Sequence, residues 1–345
     1  MPMIHVPCAC CGSESLSRKR PVWLEHGGNL IKCLDCGFVY VNPRLSKEEI
    51  FWAYAAAPLW GQTGASASEG NDVFDDSSAL RVWERCQSHR FRKRAEDILD
   101  DIERHIAKGR LLDVGSSNGL QLVVARDRGW DVAGVEICQA AAEFTRQELR
   151  LDVQSQELGK AGFDKASFDC VIMSHTLEHA FNPAEMCDDA RYVLRTGGLL
   201  YVAVPNISAL TARLTGPYWH FVVPEHLSFF SASTLVNLLK NSGFEPIQIR
   251  TRYVRTNAYF YFGIAKRLKI DRLLASLLRI TAKEWKTAKQ NVDTEVVAAS
   301  CSRDGSGKKK QAIERVVTVI NKAWPKKTLV KLGLGEEVIV IAKRV

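Results

Sequence analysis

RLLDVGSSNG, residues 110–119, is the stretch that decides the fold. Leu111-Leu112-Asp113-Val114 is a short apolar run that stops at Gly115. Ser116, Ser117, Asn118 and Gly119 follow, and an apolar helical pattern begins at Leu120. This is the order of a buried strand, a tight glycine turn and a helix N-terminus. A glycine has no Cβ and tolerates positive φ, so such a turn lets a ligand come close to the backbone. The spacing is G-x-x-x-G, which differs from the G-x-G-x-x-G of dinucleotide binders.

The next strand candidate, Asp131-Val132-Ala133-Gly134-Val135, ends at Glu136. An acidic side chain at the end of the second strand, about 20 residues past the glycine turn, is where α/β folds hold ribose hydroxyls. A carboxylate can accept two hydrogen bonds from a cis-diol. Glu157 is a further acidic candidate, ahead of the turn into the apolar run Phe168-Asp169-Cys170-Val171-Ile172-Met173. That run is a fourth strand, and it delivers Ser174 and His175 to the carboxyl edge of the sheet, where ligands sit in open α/β folds.

With these residues in place the chain resembles the class I S-adenosylmethionine (SAM)-dependent methyltransferases. The matching segments are LLDVGSSNG (111–119), VAGVEI (132–137), SFDCVIMSHTLEHAFNP (167–183), LRTGGLLYVAVPN (194–206) and HLSFFSASTLVNLLKNSGFE (226–245), in the family's order. The resemblance implies a mostly parallel, Rossmann-like α/β sheet of seven strands with an antiparallel last strand. It also implies S-adenosyl-L-methionine as cofactor. It places Asp113 beside the methionine end, and Gly115, Ser117 and Gly119 in the loop around the amino-acid part. Glu136 falls on the ribose, Glu157 near the adenine amino group, and Ser174 at the cofactor edge. Ser116 stands where the family usually has Cys or Gly.

The chain has 345 residues, 46% hydrophobic and 25% charged, with a net charge of +8. That is the composition of a globular enzyme. No basic-apolar leader opens it and no long apolar run interrupts it, so a cytoplasmic protein is expected. Ten cysteines point to a reducing compartment. The modest basic excess suits phosphate-bearing substrates, an anionic membrane surface or a solvated face.

Cys8, Cys11, Cys33 and Cys36 form two C-x-x-C-G knuckles with 21 residues between the pairs. Four thiolates in two knuckles suit a tetrahedral structural Zn²⁺, and leave no open position for catalysis. The expected organisation is a zinc ribbon over 1–45 and a helical linker and cofactor cover over 46–109. The methyltransferase domain takes 110–251 plus 334–345, and a helical insertion occupies 252–333, with a disordered loop at 287–310. Phe38, Tyr40 and Asn42-Pro43-Arg44 read as a dock onto the main domain. Trp52, Tyr54, Trp60 and Trp83 are candidate apolar contacts in the cover. Glu336 to Ala342 reads as the last strand.

His175, Glu178 and His179 spell H-x-x-E-H, the letters of a zinc-peptidase signature. A strand-to-helix turn is the wrong context for that enzyme. Some quinone-ring O-methyltransferases of this fold carry an acid, then Glu and His, at these positions and use a divalent cation; here the first position is His175. His175 is the general-base candidate, because a neutral imidazole suits removal of an acceptor proton. Trp219, His220 and His226, in an aromatic and histidine-rich loop after the fifth strand, are the substrate-pocket candidates.

The expected function is SAM-dependent methylation of a small-molecule acceptor, foremost O-methylation of a saccharide, glycolipid or secondary metabolite. C-methylation of a nucleotide-sugar, rRNA methylation and a SAM-binding regulatory role are the alternatives. Nucleic acid is disfavoured: the Asn-Pro-Pro-aromatic motif of base amino methylation is absent where SHTLEH stands, and the ribbon has no strong basic footprint. Peripheral membrane contact and a homodimer are the remaining partner expectations.

Overall fold

The computed structural model describes residues 3–17, 28–50, 83, 89–253 and 326–345. Trp52, Tyr54, Trp60 and most of the 252–333 insertion, with the loop expected at 287–310, lie outside the described residues. Its main sheet has seven strands in the order β10-β11-β8-β7-β4-β5-β6. They are β4 (Arg110–Val114), β5 (Asp131–Val135), β6 (Asp152–Gln154), β7 (Phe168–Ser174), β8 (Leu194–Pro205), β10 (Phe244–Arg252) and β11 (Glu337–Arg344). The central strands pair in parallel, and β11 runs antiparallel to both β8 and β10. This is the fold class expected from the sequence. Gly197 and Gly198 lie within β8. Gly197 sits at φ +74°, and the pairing with β7 shifts register there.

Both faces of this sheet are buried, so its strands read as apolar runs rather than as alternating ones. Successive side chains point to opposite faces. Leu112, Val114, Val171, Met173, Leu200, Val202, Val338 and Val340 pack on one side. Leu111, Cys170, Ile172, Leu199, Tyr201, Ala203, Ile339 and Ile341 pack on the other. The second face is covered by α1 (His89–Glu103) and α2 (Leu120–Asp127), with Ala142 of α3 (Gln139–Gln147). Trp83 joins them against Phe144, with ring centroids 6.2 Å apart. The first face is covered by α4 (Pro183–Val193) and α6 (Ala232–Asn241). Both have side-chain N-caps: Asn182 accepts from Ala184 and Glu185, and Ser231 forms a capping box with Thr234. Lys326–Lys331 is a short helix before β11.

The N-terminal residues build a second, four-stranded sheet from β1 (Leu16–Ser17), β2 (Leu30–Cys33), β3 (Val39–Val41) and β9 (Ser228–Phe229). The last of these belongs to the segment that leads into α6. Val39 pairs with Phe229 and Tyr40 with Ser228. Phe38 is buried and its ring lies 5.5 Å from Tyr40 and 5.1 Å from Phe230. Asn241 Nδ2 donates to the Cys10 carbonyl at 2.9 Å. The docking role expected of Phe38 and Tyr40 is therefore present in the contacts. Ser46 and Glu49 form the expected capping pair at the start of a helical turn.

Truncating Phe38 leaves a cavity between the two sheets. Phe38→Ala should lower unfolding stability by about 3–5 kcal/mol, the usual cost of deleting a buried ring. Urea denaturation checks this, and a loss under ~1 kcal/mol would mean the two sheets do not share a core.

Candidate functional site

Gly115 follows β4 at φ +76°, and its N–H and that of Ser116 both donate to the Val135 carbonyl at 2.8 and 3.0 Å. A Cβ at Gly115 would meet the Thr176 side chain at 2.8 Å. Thr176 Oγ1 in turn donates to the Val114 carbonyl at 2.8 Å. The turn after β4 is thus locked to the turn after β7, and only glycine fits between them. Gly119 closes the loop at φ +78°, directly before α2. Glu136, at the end of β5, accepts from the Ser117 and Cys138 N–H groups, both at 2.8 Å. Burial raises its pKa, against those amide bonds. Burial, with Glu136 nearby, pushes the Asp113 carboxyl up to about 7. Two buried carboxyls at a glycine turn suit a ligand that brings hydroxyl, amine or sulfonium groups, and repel a phosphate.

Glu157 follows β6 on the same edge, where the sequence reading put it. Its carboxylate meets Lys47 and Lys160, each at 3.2 Å. Lys47 comes from the N-terminal segment, so this contact also ties the two sheets together.

His175 follows β7 directly, at φ +59°. Its Nε2 lies 2.9 Å from Glu337 Oε1, and its Nδ1 lies 3.2 Å from Glu178 Oε1. Glu337 is buried at the start of β11 and also meets Arg94 at 3.1 Å and Arg252 at 2.6 Å. Burial opposes its charge, but His175 and the two arginines hold it well below the usual carboxylate range. Burial and Arg94 oppose charge on His175, yet the two carboxylates outweigh them and raise its pKa. Both ring nitrogens face carboxylates, which favours the protonated form. Sequence reasoning missed Glu337, Arg94 and Arg252. The signal for Glu337 was an acidic residue inside an otherwise apolar strand.

Trp219, expected to line a pocket, is 1% exposed and packs with Val41, Ala209, Ala212 and Phe229. It braces the loop from below. Phe221, which the sequence reading passed over, is the ring that gathers the site: His220 lies 4.2 Å from it, His226 6.0 Å and His175 6.3 Å, centroid to centroid. Burial pushes His220 down to about 4 and His226 down to about 3, so both imidazoles are neutral. Ser174, at the end of β7, is half-buried beside His175.

Cys8, Cys11, Cys33 and Cys36 each place a sulfur within 4.8 Å of the others. Cys8 Sγ lies 3.5 Å from Cys36 Sγ, and Cys11 Sγ 3.6 Å from Cys33 Sγ. For Cys33, burial opposes ionisation, but the Cys36 and Asp35 N–H groups and the Cys11 thiol outweigh it and bring the thiol down to about 7. A compact S₄ set fits a tetrahedral thiolate-bound metal.

Residues 86–249 match the family model described as a methyltransferase domain. That stretch, just under half of the chain, carries the methyltransferase domain of that family. A relative from Mycolicibacterium smegmatis, described as a probable SAM-dependent methyltransferase, is 25% identical over 154 residues. That match covers 44% of this chain and 58% of the relative, short of two thirds of its length. The ubiquinone biosynthesis O-methyltransferase of Azoarcus is 26% identical over 174 residues, covering 43% of this chain and 75% of that one. Among solved structures, geranyl diphosphate C-methyltransferase from Streptomyces coelicolor, complexed with Mg²⁺, geranyl diphosphate and S-adenosyl-L-homocysteine, aligns with a TM-score of 0.45. Its sequence identity is 16%, over 86% of this chain and 98% of that chain. No helix among the described residues is long and apolar enough to cross a membrane.

The raised Asp113 pKa has a pH signature in the ligand-free chain. A carboxyl with a folded pKa near 7 and an unfolded one of 3.8 holds its proton more tightly when folded. Its contribution to stability is complete below the unfolded value and is lost as pH rises through the folded one. Asp113→Asn removes that loss. The urea midpoint of the variant should fall less than that of the parent chain between about pH 5 and about pH 8; an equal fall in both would mean that Asp113 ionises without penalty.

Proposed function

We propose that this chain transfers the methyl group of SAM to an oxygen of a small-molecule acceptor, a saccharide, glycolipid or related secondary metabolite. The observation that carries the reading is the Glu136 carboxylate, fixed by two backbone N–H groups at the mouth of the glycine turn. In this reading Gly115, Ser117 and Gly119 wrap the amino-acid part of the cofactor, with Asp113 beneath it. Glu136 takes the ribose hydroxyls, Glu157 lies toward the adenine, and Ser174 borders the methionine end. The acceptor lies against Phe221, His220 and His226. The bound cofactor supplies an electrophilic methyl on a sulfonium. Attack by the acceptor oxygen forms the C–O bond as the C–S bond breaks, and the acceptor proton leaves to solvent.

His175 acts here as a fixed positive group rather than as the base. An imidazolium braced by Glu337 and Glu178 lowers the pKa of a neighbouring acceptor hydroxyl by favouring its anion. The enclosed aromatic and histidine loop supports a small acceptor over a nucleic acid, which would need an open basic surface. The four cysteines hold a structural Zn²⁺ in a ribbon that forms the N-terminal unit, and the ribbon clamps the loop leading to the acceptor side through β9.

Two measurements test this. Calorimetry with S-adenosyl-L-homocysteine should show that Glu136→Ala weakens binding about 10- to 100-fold, the worth of one or two hydrogen bonds to a charged group; unchanged affinity would remove Glu136 from the cofactor site. Metal analysis should find zinc in the parent chain and lose it in Cys33→Ser, with a lowered melting temperature. Equal zinc in the two proteins would refute the ribbon.

A further inference from the structure

Glu178 is the least explained buried charge in the molecule. It is 1% exposed, and neither carboxylate oxygen makes a hydrogen bond. Its 3.2 Å contact with His175 Nδ1 lacks hydrogen-bond geometry, and His175 is turned toward Glu337 instead. A buried carboxylate with no hydrogen bond is costly unless another charge meets it.

Two other side chains converge on Glu178. One donor atom from each of Glu178, His179 and His226 lies within 4.8 Å of the others. His226 is 47 or more residues away in sequence and arrives from the loop ahead of β9. Both imidazoles are oriented from behind: His179 Nδ1 lies 3.0 Å from the Glu225 carbonyl, and His226 Nδ1 lies 2.8 Å from the Phe221 carbonyl. A carbonyl can only accept, so each Nδ1 carries the proton and each ring holds its Nε2 as an acceptor. Main-chain carbonyls that fix the tautomer of two histidines beside one carboxylate are the outer support typical of a metal centre. His175, which the sequence groups with Glu178 and His179, is outside this set.

We propose that Glu178, His179 and His226 bind a divalent transition metal ion, separate from the four-cysteine site. Two imidazoles and one carboxylate are borderline donors, which suit Zn²⁺, Co²⁺ or Fe²⁺ better than Mg²⁺. An ion about 2.1 Å from each donor spans this cluster with a small contraction. The metal neutralises the orphaned carboxylate and pins the turn after β7 to the loop carrying Phe221 and His226. Three protein ligands leave a position for a water or an acceptor oxygen. Metal occupancy does not depend on which acceptor is used, so its test stands apart from the function proposed above.

The test is metal content of the full chain, equilibrated with Zn²⁺ and then passed through a weak chelator. The parent chain should hold about two ions, one per site. Glu178→Gln and His226→Gln should each lose one and keep the one that Cys33→Ser loses. Cobalt gives a second readout that needs no variant. Co²⁺ at the cysteine site shows an intense thiolate charge-transfer band, whereas at the Glu/His/His site it shows ligand-field bands alone. Two equivalents of Co²⁺, the second adding no charge-transfer intensity, support the proposal even if a variant fails to fold. A single ion in the parent chain, lost only in Cys33→Ser, overturns it. So does a second ion that stays in both Glu178→Gln and His226→Gln.

Discussion

A sheet buried on both faces leaves its polar groups one place to go, the carboxyl edge, and that constraint organises the rest of this molecule. Apolar residues fill β4, β7, β8 and β11 from one face to the other. Asp113, Glu136, His175, Glu178 and Glu337 all gather where those strands end or, for the antiparallel β11, begin. They are close together and mostly shielded from water. Each must then be neutralised by its neighbours or by a ligand. Glu337 is satisfied by His175, Arg94 and Arg252. Glu136 is satisfied by backbone N–H groups. Glu178 meets His175 at 3.2 Å, while Asp113 is left to burial and the nearby Glu136, which raise its pKa.

The antiparallel β11 matters for the same reason. A parallel strand would bring its carboxyl end to the site; β11 brings its first residues instead. Glu337 thereby stands opposite Pro205 at the end of β8 and reaches His175. Through Arg94 on α1 and Arg252 on β10, one carboxylate couples the two ends of the chain to the centre of the site. The N-terminal sheet adds a second coupling. Its β3 borrows β9 as a partner, so the sheet that carries Cys33 is hydrogen-bonded to the segment that follows the histidine loop.

Much of this was legible in the residues. The glycine turn at 115–119 and the acid at 136 are local patterns, read within a few positions of each other. The strands read as apolar runs because both their faces are buried. The cysteine knuckles were legible because metal ligands need fixed spacing, and the contacts of Phe38 and Tyr40 followed from aromatic residues beside a small sheet. The roles of His175 and Trp219 were not legible. A histidine is a base or a fixed cation depending on which charges face it, and the two that face His175 include one 162 positions away. A tryptophan in an aromatic loop can line a cavity or prop it, and Trp219 props it.

The sequence by itself determined the succession of central strands, the glycine turn at 115–119 and the pair of cysteine knuckles, because each is written in short-range spacing and in the periodicity of burial. Only the tertiary structure decided which charges face His175, the place of Glu337 and the meeting of Glu178 with His226. Those depend on electrostatic partners brought together across long stretches of chain, and the strength of such pairs is set by the low polarity of the packed interior around them.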